Sequence, residues 1–154
     1  MTVRLATAED FSAIAAVQRR AVDQCLRPLY DGGAIDRWLA AIDEEKFVRV
    51  ANAGETILVV GEEKVVGFCS YHAEMSLLGM WYVDPEVMGR GVGSALLSAA
   101  EEGLAEEGCL TATTEASLFA RPHFEARGWK PVEEVEKPAF GALMRVTRME
   151  KRVQ

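Results

Sequence analysis

Val83-Asp-Pro-Glu-Val-Met-Gly-Arg-Gly-Val-Gly-Ser-Ala-Leu-Leu97 is the stretch that decides how this chain is read. The apolar run before it, Leu77 to Val83, predicts a strand, and Asp84-Pro85 stops it, because a residue before proline is pushed away from helical geometry. Gly89, Gly91 and Gly93 follow at alternate positions, and a helical pattern runs from Ser94 to about Leu104. Strand, glycine turn and helix N-terminus together make an anion site. Without Cβ atoms in the way, successive backbone N–H groups can point at one ligand, and the helix dipole favours negative charge there. Arg90 adds a positive charge beside them. The natural guest is a phosphate or pyrophosphate.

Two familiar phosphate loops do not fit. A Walker A loop closes with Gly-Lys-Ser/Thr, and no such string occurs. A dinucleotide fingerprint counted from Gly89 fails at its last position, which is Ser94, and it lacks an acid on a following strand end. A glycine turn with no ligand is the alternative, at the cost of the conformational entropy of three glycines.

The stretch resembles the acetyl-CoA-binding motif of the GNAT N-acetyltransferase superfamily, Gln/Arg-x-x-Gly-x-Gly/Ala, whose amides hold the pyrophosphate of CoA. Here the motif runs from Met88 through Gly91 to Gly93, with Met88 in place of the usual Gln or Arg. Glu115-Ala-Ser-Leu-Phe-Ala-Arg-Pro-His-Phe-Glu-Ala-Arg-Gly-Trp129 resembles the later strand-to-helix segment of the same superfamily. The resemblance covers roughly Thr2 to Met149.

Composition bounds the rest. With 154 residues, 49% of them hydrophobic, the chain is expected to be one domain, residues 1–154, with a substantial core. No apolar run approaches the ~18–20 residues of a membrane span, and the N-terminus lacks the apolar centre of a signal peptide. Cys25, Cys69 and Cys109 are odd in number without a CxxC pairing, which suits reduced thiols in a cytoplasmic protein. His72 and His123 lack metal-ligand spacing, so no metal is expected. A net charge of −7 disfavours nucleic acid and mildly favours cationic substrates. Glu101, Glu102, Glu106 and Glu107 are expected on a solvated helix face opposite Val92, Leu96, Leu97, Ala100 and Leu104.

Along the chain, Val3–Leu5 predicts a strand and Thr7 an N-cap with Asp10 bonding back. Phe11, Ile14, Gln18, Ala21 and Cys25 predict a helix to about Leu26, whose apolar stripe only Gln18 breaks. Pro28 to Gly33 end it, and Ala34–Ile42 predicts a short second helix. Thr56–Val60 and Val65–His72 predict a hairpin that Leu77–Val83 joins antiparallel. Gly108 closes the helix after the glycine loop. Leu110–Glu115, a helix over Phe119–Arg127, and strands Val132–Val135 and Ala142–Met149 complete the order β-α-α-β-β-β-α-β-α-β-β. The resemblance implies an α/β (α+β) GNAT fold: a mixed, mostly antiparallel sheet of about seven strands, splayed centrally and flanked by about four helices.

It also implies a site. The pyrophosphate of acetyl-CoA would sit on the amides of Gly89, Arg90, Gly91, Val92, Gly93 and Ser94, and its pantetheine arm along the strand as an added strand. An amide of Trp81, Tyr82 or Val83 would stabilise the oxyanion of acyl transfer. The acceptor, a small-molecule or peptide amine, must arrive deprotonated. Glu115, at the end of the facing strand, is a base candidate if partly buried, and His72, at the hairpin end, is another; Glu74 and Asp84 are weaker. Tyr30 and Trp38 match the region that shapes the acceptor site, although Trp38 at helical spacing with Ile35 and Leu39 also reads as core. Ser117 aligns with a residue near the pantetheine. Phe124 stands where many family members have the tyrosine that protonates the leaving thiolate, and adjacent His123 points about 100° away on a helix. The implied function is an acetyl-CoA-dependent N-acetyltransferase. The alternatives are a non-catalytic acyl-CoA-binding or regulatory module, or an acyltransferase using a longer acyl group. Dimerisation is common for the fold and unreadable from one chain.

Overall fold

The first strand, β1 (Val3–Leu5), leads into helix α1 (Phe11–Ala21) through a single 3₁₀ turn. At that turn Asp10 accepts the Thr7 N–H at 2.8 Å. Arg4 donates to both oxygens of the same carboxylate, at 2.8 and 2.9 Å, and holds it down to about 2. α1 buries Phe11, Ile14 and Val17, and with them Gln18. From Val22 to Leu26 the helix widens to π geometry, and a 3₁₀ turn carrying Pro28 ends it. Such a π segment within a helix is rare and frequently marks a functional site.

α2 (Gly32–Ala40) begins two residues before the expected start because Asp31 caps it, accepting the Ala34 N–H at 2.9 Å. α3 (Glu44–Asn52) is a helix the sequence pattern does not predict. Asp43 caps it at Lys46 N–H, 2.9 Å, yet it buries only Phe47, so no apolar stripe announces it. With α4 (Val92–Glu106) and α5 (Arg121–Glu125) the chain has five helices where about four were expected. α5 is shorter than the predicted Phe119–Arg127 and is closed by Gly128 at φ 89°.

The remaining strands are β2 (Thr56–Val60), β3 (Gly67–His72), β4 (Leu77–Val83), β5 (Thr111–Ser117), β6 (Lys130–Ala139) and β7 (Ala142–Arg152). They form one sheet in the order β1-β2-β3-β4-β5-β7-β6, as a computed structural model describing residues 1–154 shows. Every neighbouring pair is antiparallel except β4 and β5. Those two meet only at Leu77↔Thr113 and then part, so the sheet is splayed at its centre. β4 also bulges: Ser70 faces Met80 and Tyr71 faces Leu78, leaving Gly79 unpaired against the Glu55 carboxylate, with no room for a Cβ.

Strand alternation sends side chains to two cores, one on each side of the sheet. Ile57, Val59 and Phe68 pack under α1–α3 with Ile14, Ile35 and Phe47. Leu58, Val60 and Cys69 pack under α4 with Leu96, Leu97 and Leu104. Each fully buried leucine contributes about 1.5–3 kcal/mol by leaving water. The outer face of α4 is not uniformly solvated, because Glu101 is mostly covered and paired to Lys151. All three cysteines are free, and burial pushes the Cys69 thiol up to about 12. No helix is long and apolar enough to cross a membrane, and no group of three or more His, Cys, Asp or Glu side chains gathers to hold a metal.

Candidate active site

The splay between β4 and β5 opens a cleft of about 710 Å³ that passes through the sheet and reaches both cores. Beyond Leu77 no strand pairs with the inner edge of β4, so the backbone groups on that edge are open to a ligand, while those on the other edge bond β3 and the Met80 N–H goes to Ser70 Oγ. Side-chain alternation divides the cleft: Trp81 and Val83 face the α4 side, Met80 and Tyr82 the α1–α3 side.

On the α4 side the glycine loop closes one end. Gly89 and Gly91 have φ of 82° and 86°, backbone geometry that L side chains rarely adopt. A Cβ on Gly89 would meet nothing within 4 Å, so conformation and not crowding requires that glycine. Gly91 is the N-cap of α4, and Ala95 N–H to Gly91 O at 3.1 Å closes the first helical turn. The amides of Val92, Gly93 and Ser94, inside that turn, are the ones a helix leaves without partners. Gly93 has a different purpose. Its Cβ would lie 3.3 Å from Trp81, and Trp81 Nε1 donates to Gly93 O at 2.9 Å, so this glycine lets α4 press against β4. Met88, Gly89, Gly91, Val92, Gly93 and Ser94 all line the cleft.

Arg90 does not. Its side chain is exposed and makes no hydrogen bond or ion pair, because the left-handed residues on either side turn it outward. The cation beside the loop is Arg127, at the end of α5. Its Nε donates to Ser94 Oγ at 2.9 Å, its NH1 to His123 O at 2.8 Å, and its guanidinium lies 5.3 Å over the Trp81 ring. Asp84 anchors the loop's start. Burial alone would raise its carboxyl, but Arg20 at 2.6 Å and the Glu86 N–H at 3.1 Å outweigh that and hold it below the usual range. So held, Asp84 is too weak a base for the acceptor, and it does not line the cleft.

Phe124 is buried at the cleft wall, its ring centroid 4.6 Å from that of Trp81 and 5.2 Å from that of Trp129. His123 also reaches the wall, tilted at 42° to Phe119 with ring centroids 5.2 Å apart, so both neighbours on this short helix line the cleft. Ser117 lines it too, and its Oγ accepts the Ala120 N–H at 3.1 Å.

On the α1–α3 side the wall is aromatic. Trp38 lines the wall and also packs half-buried against the α1–α3 core, stacked on Phe140 at 5.3 Å and 11°. Arg37 bonds the Phe140 carbonyl and fastens α2 to the β6–β7 turn. The Tyr30 hydroxyl is fully used: it donates to Arg145 O at 2.6 Å and accepts the Leu118 N–H at 2.9 Å. Tyr30 therefore shapes this half by bracing β7 and the loop before α5, and has no proton free for chemistry. Gln18, Cys25, Lys46 and Tyr82 complete the lining. Lys46 Nζ donates to Gln18 Oε1 at 2.8 Å, and burial pushes Tyr82 up to about 12.

The two base candidates change. Glu115 lines the cleft but is exposed and paired to Lys137 at 2.9 Å, so it is not the partly buried carboxylate expected of it. His72 lies outside the cleft. Antiparallel register sets it opposite Leu77 on β3, with β4 between it and the opening. Its Nε2 is 3.1 Å from the Ala53 carbonyl, which can only accept, so Nε2 carries the proton and Nδ1 is left buried without a partner. Glu74 is exposed in the turn just after it. Of the lining groups absent from the sequence reading, Gln18 had a signal, as the polar break in an apolar stripe. Lys46 and Arg127 had none, since their cleft positions depend on contacts far along the chain.

A family model described as an acetyltransferase (GNAT) domain matches residues 26–153. An uncharacterized N-acetyltransferase of Escherichia coli K12, YafP, is 31% identical over 133 residues, covering 86% of this chain and 83% of that protein. Among solved structures, a GCN5-related N-acetyltransferase from Rhodopseudomonas palustris matches with a TM-score of 0.88 at 29% identity, over 98% of this chain and 94% of that one. PaiA N-acetyltransferase from Thermoplasma acidophilum, solved in complex with coenzyme A, matches with a TM-score of 0.78 at 18% identity over 99% of each chain; at that identity the likeness speaks for the fold.

Proposed function

The chain belongs to the GNAT acetyltransferase family, and on that premise we propose that it transfers the acetyl group of acetyl-CoA to a primary amine of a small molecule or peptide. The observation that carries this reading is the through-cleft: an amide-lined anion site on one face, an aromatic chamber on the other, and an unpaired strand edge between them. The residues present fit the cosubstrate. The amides from Gly89 to Ser94 and the Arg127 guanidinium would take the pyrophosphate. The β4 edge at Trp81–Val83 would take the pantetheine, with Ser117 and Phe124 opposite.

When bound, acetyl-CoA supplies an activated thioester. A β4 amide at Trp81–Val83 would meet negative charge gathering on its carbonyl oxygen. The acceptor nitrogen bonds to the acetyl carbon as the carbon–sulfur bond breaks, so one proton leaves the amine and the sulfur departs as thiolate or thiol. Free thiols at all three cysteines suit a reducing, cytoplasmic setting. The test is thiol release from acetyl-CoA with a panel of amino acids, polyamines, aminoglycosides and N-terminal peptides. Release with at least one amine supports transfer. Phe124, with no proton to give, favours one rival, a module that binds acyl-CoA without turning it over. That rival expects binding and no release with any amine.

Arg127→Ala should weaken CoA binding about tenfold, as loss of one charge-assisted contact does. A pantetheine thioester without phosphates should be unaffected, and Arg90→Ala should stay within about twofold for both ligands. Calorimetry separates the cases. An equal loss for both ligands in Arg127→Ala would mean the arginine acts by packing on Trp81.

A further inference from the structure

Lys46 is the unmatched charge of the aromatic chamber. The other charged pair in that half, Glu115 and Lys137, is closed on itself at 2.9 Å. Lys46 makes one hydrogen bond, to the neutral Gln18 amide, and no ion pair. An ammonium has three donors, so two remain for a guest. Burial pushes this lysine down to about 8; Glu55 partly opposes that shift, joined on its own helix by Arg49, which adds to it, and by the capping Asp43. The charged groups on the cleft lining are three cations, Lys46, Arg127 and Lys137, against one carboxylate, Glu115. The sign of the cleft is thus opposite to the chain's net charge of −7. A polycationic amine entering here would meet like charge in a half-desolvated chamber. Trp38, Phe119 and Phe140 offer apolar surface for the body of a guest.

We propose that the acceptor is an amine that also carries a carboxylate on an apolar skeleton, of the amino-acid type, and that Lys46 with Gln18 beside it binds that carboxylate and fixes specificity. This deepens the acetyltransferase reading and rests on it. The bond made is still nitrogen to acetyl carbon; Lys46 neither gives nor takes a proton and acts through the acceptor's KM.

The experiment compares L-phenylalanine and L-methionine with their carboxamides, and with spermidine, by thiol release from acetyl-CoA. The carboxamides carry the more readily deprotonated amine, so a preference for the acids cannot come from nucleophile reactivity. Wild type should favour the acids by at least about tenfold in kcat/KM, with spermidine slowest. Lys46→Met should raise KM for the acids about tenfold or more, leave kcat and the KM of acetyl-CoA within about twofold, and bring the acid-to-amide ratio near one; Lys46→Arg should restore part of it. Binding is measured separately by titrating wild type and Lys46→Met with N-acetyl-phenylalanine and its amide, and only the wild-type affinity should depend on the carboxylate. A wild type indifferent to the carboxylate, or a Lys46→Met variant that keeps the preference, overturns the proposal. Turnover confined to amides or polyamines overturns it and leaves the acetyltransferase reading standing. No release with any amine overturns that reading, and the titration then decides the carboxylate site alone: equal binding of acid and amide removes it.

Discussion

Gly91→Val is expected to abolish the rise in melting temperature that coenzyme A gives the wild-type protein. A ligand held at a hundred times its Kd and bound only by the native state stabilises it by about 2.7 kcal/mol, or roughly 5–10 °C for a domain of this size. Gly91 caps α4 at φ 86°, and it aims the free amides of that first turn into the cleft. A β-branched residue cannot adopt that conformation without strain of order 1–3 kcal/mol, so the turn rearranges and the amide cradle goes with it. Gly93→Val should fail differently. Its Cβ is 3.3 Å from Trp81, so the substitution pushes α4 off β4 and lowers stability even without ligand. Differential scanning fluorimetry with and without CoA separates the two variants. A Gly91→Val protein that keeps the full shift would remove the loop from the binding site, and equal stabilisation of the wild type by ATP would remove CoA as its ligand.

How far the sequence was legible follows from how local each decision is. The strand, the stop at Asp84-Pro85, the glycine turn and the helix after it are set by residues within one turn of each other, and they stand where the pattern puts them, with α4 starting two residues before the expected Ser94. The splay is not a local decision: only the family resemblance implied it, and the parting of β4 and β5 bears it out. α3 was missed because its one buried residue, Phe47, makes no periodicity, while its cap at Asp43 looks like any acidic loop. Side-chain direction was harder still. Whether Arg90 or Arg127 faces the loop depends on two left-handed residues and on where α5 ends. His72 reads as a neighbour of the site until the antiparallel register sets β4 between them. Glu115 was expected to be desolvated, yet Lys137, 22 positions away on β6, pairs with it at the surface. Gln18 was visible as an anomaly, but its partner Lys46 is 28 positions away on the helix that left no signal.

Phe124→Tyr is expected to raise the turnover number by at least about tenfold, since a general acid on a leaving group contributes about 10²–10⁴-fold when well placed and part of that when not. The ring is held between Trp81 and Trp129 and lines the cleft, so an added hydroxyl is expected to reach the bound thioester from this wall. Neither wild-type tyrosine on the cleft stands in for it: Tyr30 spends its hydroxyl on Arg145 and Leu118, and Tyr82 faces the acceptor half. His123 is the competing acid. It lies at the same wall with no side-chain hydrogen bond of its own, its ring tilted against Phe119. Thiol release at saturating acetyl-CoA and acceptor, measured for the wild type, Phe124→Tyr and His123→Ala, distinguishes the two. A faster Phe124→Tyr with an unaffected His123→Ala means that the wild type lets the thiolate leave unassisted. An unchanged Phe124→Tyr with a His123→Ala slowed by about 10²-fold assigns the proton to His123. A Phe124→Tyr that loses rate and CoA affinity together would show the hydroxyl crowding the pantetheine, and the proposed role of this position would fall.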